Sequence, residues 1–76
     1  MPPLPSCTGL QAIRALEGAG FIQLRQKGSH VAMQGPGGER LVVPAHRKDL
    51  RTGTLRAIIR QSGLSVAEFT ALMKGR

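Results

Sequence analysis

The sequence predicts an α+β domain with the element order α-β-β-β-α-α, in which three antiparallel strands form a sheet and the helices pack on one of its faces. Apolar residues recur at helical spacing near both ends of the chain, whereas the middle alternates between apolar and polar residues among glycine-rich turns. The connections between strands are too short for parallel crossovers. Residues 8–74 are expected to form one small domain behind a flexible, proline-rich lead-in, residues 1–7.

The first helix is predicted over residues 8–19. Thr8 and Gln11 have the spacing of a capping box, in which each side chain accepts a backbone hydrogen bond at the helix start. Gly20 suits the left-handed conformation that often ends a helix, and Phe21 follows as its apolar contact.

Three short strands are predicted, over residues 21–26, 30–34 and 40–43. A Lys-Gly-Ser turn separates the first two, and a Gly-Pro-Gly-Gly turn separates the second from the third. Alternation along the second strand places Val31 and Met33 on one face and His30 on the other. If the helices cover the first of these faces, His30 lies on the face that they leave open.

Two further helices are predicted, over residues 53–61 and 66–73. Arg56 and Arg60 are four residues apart and share one exposed flank of the first of these helices. The pair of helices also has the pattern of a helix-turn-helix. Against a DNA-binding function, the second helix opens with Val-Ala-Glu and offers no early Arg, Asn or Gln to read base edges.

The charge distribution indicates a polyanionic partner. Eleven Lys and Arg residues stand against four Asp and Glu residues, so the net charge is +7. Residues 40–76 hold eight of the basic residues and two of the acidic ones, which concentrates a charge of +6 in that half. Nucleic acid or an acidic protein fits such a surface, although a soluble domain can also simply be basic. Two phenylalanines are the only aromatic residues, which argues against stacking of single-stranded bases on aromatic platforms.

Several classes of protein are disfavoured by composition. No apolar run approaches the ~20 residues of a membrane helix, and the N-terminus lacks the features of a signal peptide, so a cytoplasmic location is expected. The single cysteine, Cys7, excludes an internal disulfide and has no obvious base beside it, which favours an incidental thiol. The two histidines lack the spacing of a zinc site, and no acidic cluster suits magnesium. No metal or other cofactor is therefore expected.

The candidate chemistry centres on His30. The preceding turn, Lys27-Gly28-Ser29, supplies a cation, backbone amides and a hydroxyl, so a phosphodiester there would meet phosphate-holding donors beside a side chain that can act as general acid or base. His46 lies in a loop rich in cations: Arg47, Lys48 and Arg51. From spacing alone, a lone histidine on a strand is more often a surface residue than a catalytic one. A non-catalytic double-stranded-RNA-binding domain, which has the same α-β-β-β-α order and size, remains open.

Four stretches together resemble the HicA toxins, the mRNA interferases of bacterial and archaeal toxin–antitoxin pairs. They are TGLQAIRALEGAGF (8–21), RQKGSH (25–30), LVVPAH (41–46) and LRTGTLRAIIRQSGLSVAEF (50–69). The combination of glycine-histidine after the first strand, VPxH and GTLRxIIRQxGL is specific. The resemblance extends over about residues 8–72 and implies a double-stranded-RNA-binding-like fold.

The resemblance also implies a cytoplasmic ribonuclease that cleaves mRNA and is silenced by a HicB-type antitoxin covering its active site. The catalytic histidine of the family falls on His30. His46 matches the histidine of VPxH, and its alternative roles are second proton carrier, structural residue or RNA-positioning residue. The expected RNA and phosphate contacts are Lys27, Gly28, Ser29, Arg47, Lys48, Arg51, Arg56 and Arg60. Leu10 and the segment 31–33 depart from the family pattern, which affects RNA or partner contacts rather than the chemistry.

Overall fold

The computed structural model describes residues 4–74. Its elements are α1 (Gly9–Gly18), β1 (Ile22–Lys27), β2 (His30–Gln34), β3 (Arg40–Pro44), α2 (Thr52–Ser62) and α3 (Val66–Lys74). The predicted class and element order are confirmed, and every boundary lies within one residue of its predicted position. Residues 1–3 of the predicted lead-in lie outside the described part of the chain.

The three strands form one antiparallel sheet in the order β1-β2-β3. The helices pack on one face of it, where they cover four strand side chains: Val31, Met33, Leu41 and Val43. These residues alternate with exposed or half-buried ones along β2 and β3, as period-two strands with one wet face require. The sheet therefore has a core face and an open face.

Capping boxes begin two of the helices. Thr8 and Gln11 exchange side-chain hydrogen bonds with each other's backbone N–H groups at 3.1 and 2.9 Å before α1. Ser65 and Glu68 make the same reciprocal pair, at 3.0 and 2.8 Å, at the start of α3. Gly63 ends α2 at a φ of 79°, a left-handed conformation that suits glycine. Local sequence thus fixes where these helices begin and end.

The helical layer is held together by side chains from all three helices. α1 packs against α3 and β3, and α2 packs along β3. Leu16, Leu55 and Phe69 are almost completely buried in this layer. β1 is the edge strand farther from the helices, which pack mainly along β3, and all six of its residues are exposed. Within the predicted first strand, residues 21–26, Phe21 is buried in the core, just before β1 begins.

Cys7 belongs to the core rather than to a flexible segment. Its side chain is 1% exposed, and its carbonyl accepts a hydrogen bond from the Leu50 N–H at 2.8 Å. Thr8, next along the chain, forms an isolated antiparallel bridge with Asp49. Burial, and secondarily the Asp49 carboxylate, raise the pKa of the Cys7 thiol. The thiol therefore stays neutral near physiological pH, which disfavours a nucleophilic role.

Gly9, the first residue of α1, allows a close approach between the helix and the end of β3. A Cβ at this position would lie 1.7 Å from the Pro44 carbonyl oxygen, and this obstacle is backbone rather than a movable side chain. Gly53, in the first turn of α2, has nothing within 4 Å of its corresponding Cβ position. The two glycines therefore provide a matched comparison.

Gly9→Ala should lower the free energy of unfolding by about 2 kcal/mol or more, because helix and strand must separate to admit the methyl group. Gly53→Ala should leave stability unchanged or raise it by up to about 1 kcal/mol through helix propensity. Urea titrations followed by circular dichroism measure both changes. Equal effects of the two substitutions would contradict the close approach at Gly9.

Cys7 should react with a thiol reagent at least ~100-fold more slowly in the native protein than in the denatured one, because modification requires opening of the core. Stopped-flow kinetics with a chromogenic disulfide, at one pH with and without denaturant, measure the ratio. Native protein that reacts at the denatured rate would show that Cys7 is not packed as described.

Candidate functional site

His30 is exposed at the first position of β2, directly opposite Lys27 of β1 on one side and Pro44 of β3 on the other. Directly paired residues of neighbouring strands point to the same face of a sheet. Because the next residue, Val31, is buried against the helices, His30 and Lys27 lie on the open face. The predicted placement of His30 is confirmed, and a cation stands beside it.

A tight hairpin holds these two residues in register. Gly28 has a φ of 59°, while Ser29 keeps a negative φ, which is the pattern of a two-residue type II′ turn. The Gln26 side chain donates a hydrogen bond from Nε2 to the Gly28 carbonyl at 2.9 Å and so stabilises the turn. The Lys-Gly-Ser segment therefore positions His30 by its backbone conformation as well as supplying polar groups.

His46 lies at the same end of the sheet, in a loop that is bonded on both sides. The Ala45 N–H donates to the Ser29 carbonyl at 2.6 Å, which joins this loop to the hairpin. On the other side the Gly9 N–H donates to the His46 carbonyl at 3.2 Å. The structure thus brings the two histidines, 16 positions apart in sequence, to one end of the molecule.

The predicted cations divide into two groups. Arg47, Lys48 and Arg51 are exposed in the loop that follows His46 and leads into α2, so they share the histidine end of the fold. Arg56 and Arg60 are also exposed, but they lie about 6 and 12 Å along the axis of α2 from its first residue, at 1.5 Å per residue. Those two extend away from the histidines.

Two cations on the open face escaped the sequence analysis. Arg25 is paired with Ala32, and Arg40 is paired with Gln34, so both share the face that carries His30. Alternation between exposed Arg40 and buried Leu41 could have indicated the first position of β3. Arg25 could not have been assigned, because a register shift between residues 23 and 25 interrupts the alternation of β1.

Three of the four carboxylates accept hydrogen bonds away from the open face, and the fourth, Asp49, is exposed in the loop that follows His46. Glu17 accepts a hydrogen bond from Gln23 Nε2 at 3.1 Å, and Glu39 accepts one from the Gly37 N–H at 2.9 Å. Glu68 is occupied in its capping box. Across residues 4–74, no three His, Cys, Asp or Glu side chains gather as metal ligands would. In the same part of the chain, no helix combines the length and apolar character needed to cross a bilayer.

A family model described as the HicA toxin of bacterial toxin–antitoxin systems matches residues 10–64, well over half of the chain. The matched range includes both strands that flank His30, the His46 loop and all of α2. No curated protein matches the chain significantly.

Proposed function

The chain belongs to the HicA family of toxins from bacterial toxin–antitoxin pairs, and on that premise we propose that it is an mRNA-cleaving endoribonuclease that uses a catalytic histidine and no metal. One observation carries the proposal: His30 and Lys27 are directly paired on the exposed face of the sheet. A phosphate at this point would meet a proton-transfer group and a positive charge together. We also propose that it acts in the cytoplasm, where its mRNA substrate is available.

The proposed reaction is transphosphorylation within the RNA. The 2′-hydroxyl oxygen attacks the adjacent phosphorus as the bond to the 5′ oxygen breaks, leaving a 2′,3′-cyclic phosphate and a 5′-hydroxyl. One proton must leave the 2′-hydroxyl, and one must reach the departing oxygen. His30 carries one of these protons as general base or general acid. DNA would not be cleaved, because it lacks the internal nucleophile.

Charge that grows on the phosphate oxygens needs nearby donors. Lys27 supplies an ammonium group opposite His30, and the hairpin at Gly28 and Ser29 supplies backbone N–H groups and a hydroxyl. His46 is the candidate for the second proton carrier, since its loop is bonded to the hairpin through Ala45 and Ser29. A role for His46 in positioning RNA is the alternative.

Contacts farther along the RNA come from the basic second half of the chain. Arg47, Lys48 and Arg51 follow His46 directly and contact phosphates close to the cleaved bond. Arg56 and Arg60 extend the positive charge along α2, where they contact phosphates more distant from it. These interactions supply affinity without sequence selectivity, because phosphates are the same at every nucleotide.

A non-catalytic double-stranded-RNA-binding module is the second candidate. Its support is the element order α-β-β-β-α together with exposed arginines on α2. Such a module would bind RNA duplexes and leave them intact. A DNA-reading helix-turn-helix has less support. α3 opens with Val-Ala-Glu, and its first polar side chain, Glu68, is occupied by a capping hydrogen bond and so is not available to read base edges.

His30→Ala should reduce RNA cleavage at least a hundredfold, since general acid–base help is worth roughly 10²–10⁴ in rate. The fold should persist, because substituting an exposed strand residue typically costs well under ~1 kcal/mol. Cleavage of a labelled RNA by purified protein, read on a gel beside circular dichroism spectra, tests both statements. The control is Arg14→Ala, which changes an exposed residue of α1; this variant should cleave RNA at the parental rate.

His46→Ala separates the two roles of that residue. A loss comparable to that of His30→Ala, with the fold intact, would identify His46 as the second proton carrier, whereas a small loss would assign it to RNA positioning. Cleavage by His30→Ala near the parental rate would remove His30 from the mechanism. Parental protein that binds duplex RNA and never cuts RNA would favour the binding-module alternative.

The antitoxin of this pair is proposed to be of the HicB type and to present an acidic surface to the histidine end of the toxin. The half-chain charge of +6 predicts fast association that slows as salt is added. Hydrogen exchange in the complex should show protection around His30 and across residues 47–51. A complex that leaves both regions as exchangeable as in the free toxin would contradict masking of the active site.

A further inference from the structure

The open face of the sheet continues from His30 as a surface of cations and aliphatic side chains. Its cross-strand rows are Ile22–Gln34–Arg40, Arg25–Ala32–Val42 and Lys27–His30–Pro44. Three of these residues are cationic, and none of the three strands contains an acidic residue. The nearest acid in sequence, Glu39, turns its carboxylate toward Gly37 and the end of α2 at Gly63, on the side of the helices. The positive charge of the open face is therefore not balanced within the sheet.

Exposed apolar side chains lie between these cations. Ile22, Leu24 and Val42 remain 59%, 42% and 49% exposed, and they account for three of the four large apolar residues exposed among residues 4–74. An exposed apolar cluster on a small domain commonly marks a binding surface. Here it adjoins the candidate site, because Ala32 follows His30 by two residues on the same face, a distance of about 7 Å.

Beside β3 this surface continues round the edge of the sheet into a groove, which also reaches Met33, Leu41 and Ile58 on the helix side. The register shift in β1 brings Leu24 and Arg25 to it together, opposite Ala32 and Val42. The far wall is formed by an uncharged flank of α2, at Gly53, Thr54, Ala57 and Gln61. Arg56 and Arg60 are not among the lining residues. The groove thus has arginine on the sheet side and no competing charge on the helix side.

These observations favour RNA as the occupant over an acidic protein segment, because a substrate must reach His30 and this is the surface continuous with it. In RNA-binding sheets, two or three unpaired bases lie on the open face, on aromatic rings or against arginine guanidinium planes. This chain has no aromatic residue in its three strands. Aliphatic side chains and arginines lie on its open face instead.

We propose that single-stranded RNA lies along the open face, with Arg25 and Arg40 on its phosphates and Leu24, Ala32 and Val42 against its bases, and enters the site at His30. The proposal rests on the proposed ribonuclease function and specifies its substrate as unpaired RNA. It also assigns RNA binding to residues outside α2 and the basic loop at residues 47–51. The single-stranded form is required because a paired duplex turns its bases inward, away from aliphatic contacts.

Binding to a fluorescein-labelled 12-nucleotide RNA tests the proposal. The RNA carries 2′-O-methyl groups throughout, so it lacks the nucleophile and binding is measured apart from cleavage. Fluorescence anisotropy at several salt concentrations compares the full-length parent with three double variants, each of which removes two positive charges. They are R25Q/R40Q on the open face, R56Q/R60Q on α2, and R14Q/K74Q on the exposed surface of α1 and α3 as the charge-matched control.

R25Q/R40Q should weaken binding at least about tenfold and reduce the slope of log K against log salt by about 1.4, at ~0.7 per phosphate contact on single strands. R14Q/K74Q should leave the slope unchanged. Val42→Thr, which keeps the β-branched shape, should weaken binding about threefold at every salt concentration without altering the slope. The matching RNA duplex should bind more weakly than the single strand.

An unchanged slope in R25Q/R40Q would overturn the proposal, as would tighter binding of the duplex. It would also be overturned if R25Q/R40Q lost antitoxin binding while retaining RNA affinity. The outcomes are distinguishable from failure of the ribonuclease proposal. If the protein binds 2′-O-methyl RNA through Arg25 and Arg40 but never cuts unmodified RNA, the binding surface is supported and the ribonuclease proposal is contradicted. If the protein cuts RNA and these substitutions have no effect on RNA binding, the ribonuclease proposal is supported and the binding surface is contradicted.

Discussion

The segment from Pro44 to His46 links three parts of the molecule, and the arrangement of the candidate site depends on it. Its backbone is bonded to the hairpin through Ala45 and Ser29 and to the start of α1 through His46 and Gly9. The approach at Gly9 is so close that a Cβ there would collide with the Pro44 carbonyl, so the helix start requires glycine. Without these contacts, the pairing of Pro44 with His30 would be the remaining link between the His46 loop and the strand that bears His30.

The division of the sheet into two faces separates stability from function. One face is buried under three helices and supplies the core, so its residues are determined by packing. The other face carries the histidine, three cations and exposed aliphatic groups, none of which the core requires. Substitutions on the open face can therefore change binding and chemistry while the fold persists, which makes the functional proposals separable from effects on stability.

Periodicity and capping were sufficient to predict the elements, because the signals were local. The capping boxes at Thr8 and Ser65 and the alternation of β2 depend on neighbours within a few residues. The burial of Cys7 depends on a bridge to a segment some forty residues later, and the face of the sheet on which Arg25 lies depends on a register shift. Neither feature therefore had a local signal in the sequence. The histidine site was predicted as two residues; their meeting at one end of the sheet follows from tertiary hydrogen bonds.

The central claim is that His30 catalyses attack by the 2′-hydroxyl of RNA without a metal. The most direct measurement is the chemistry of the cut ends, produced by purified protein in excess EDTA from an RNA with one 2′-deoxy nucleotide at a mapped cleavage site. The account predicts 2′,3′-cyclic phosphate and 5′-hydroxyl ends at unmodified sites and no cut at the deoxy position. Ends bearing a 5′-phosphate, or cleavage at the deoxy position, would contradict it.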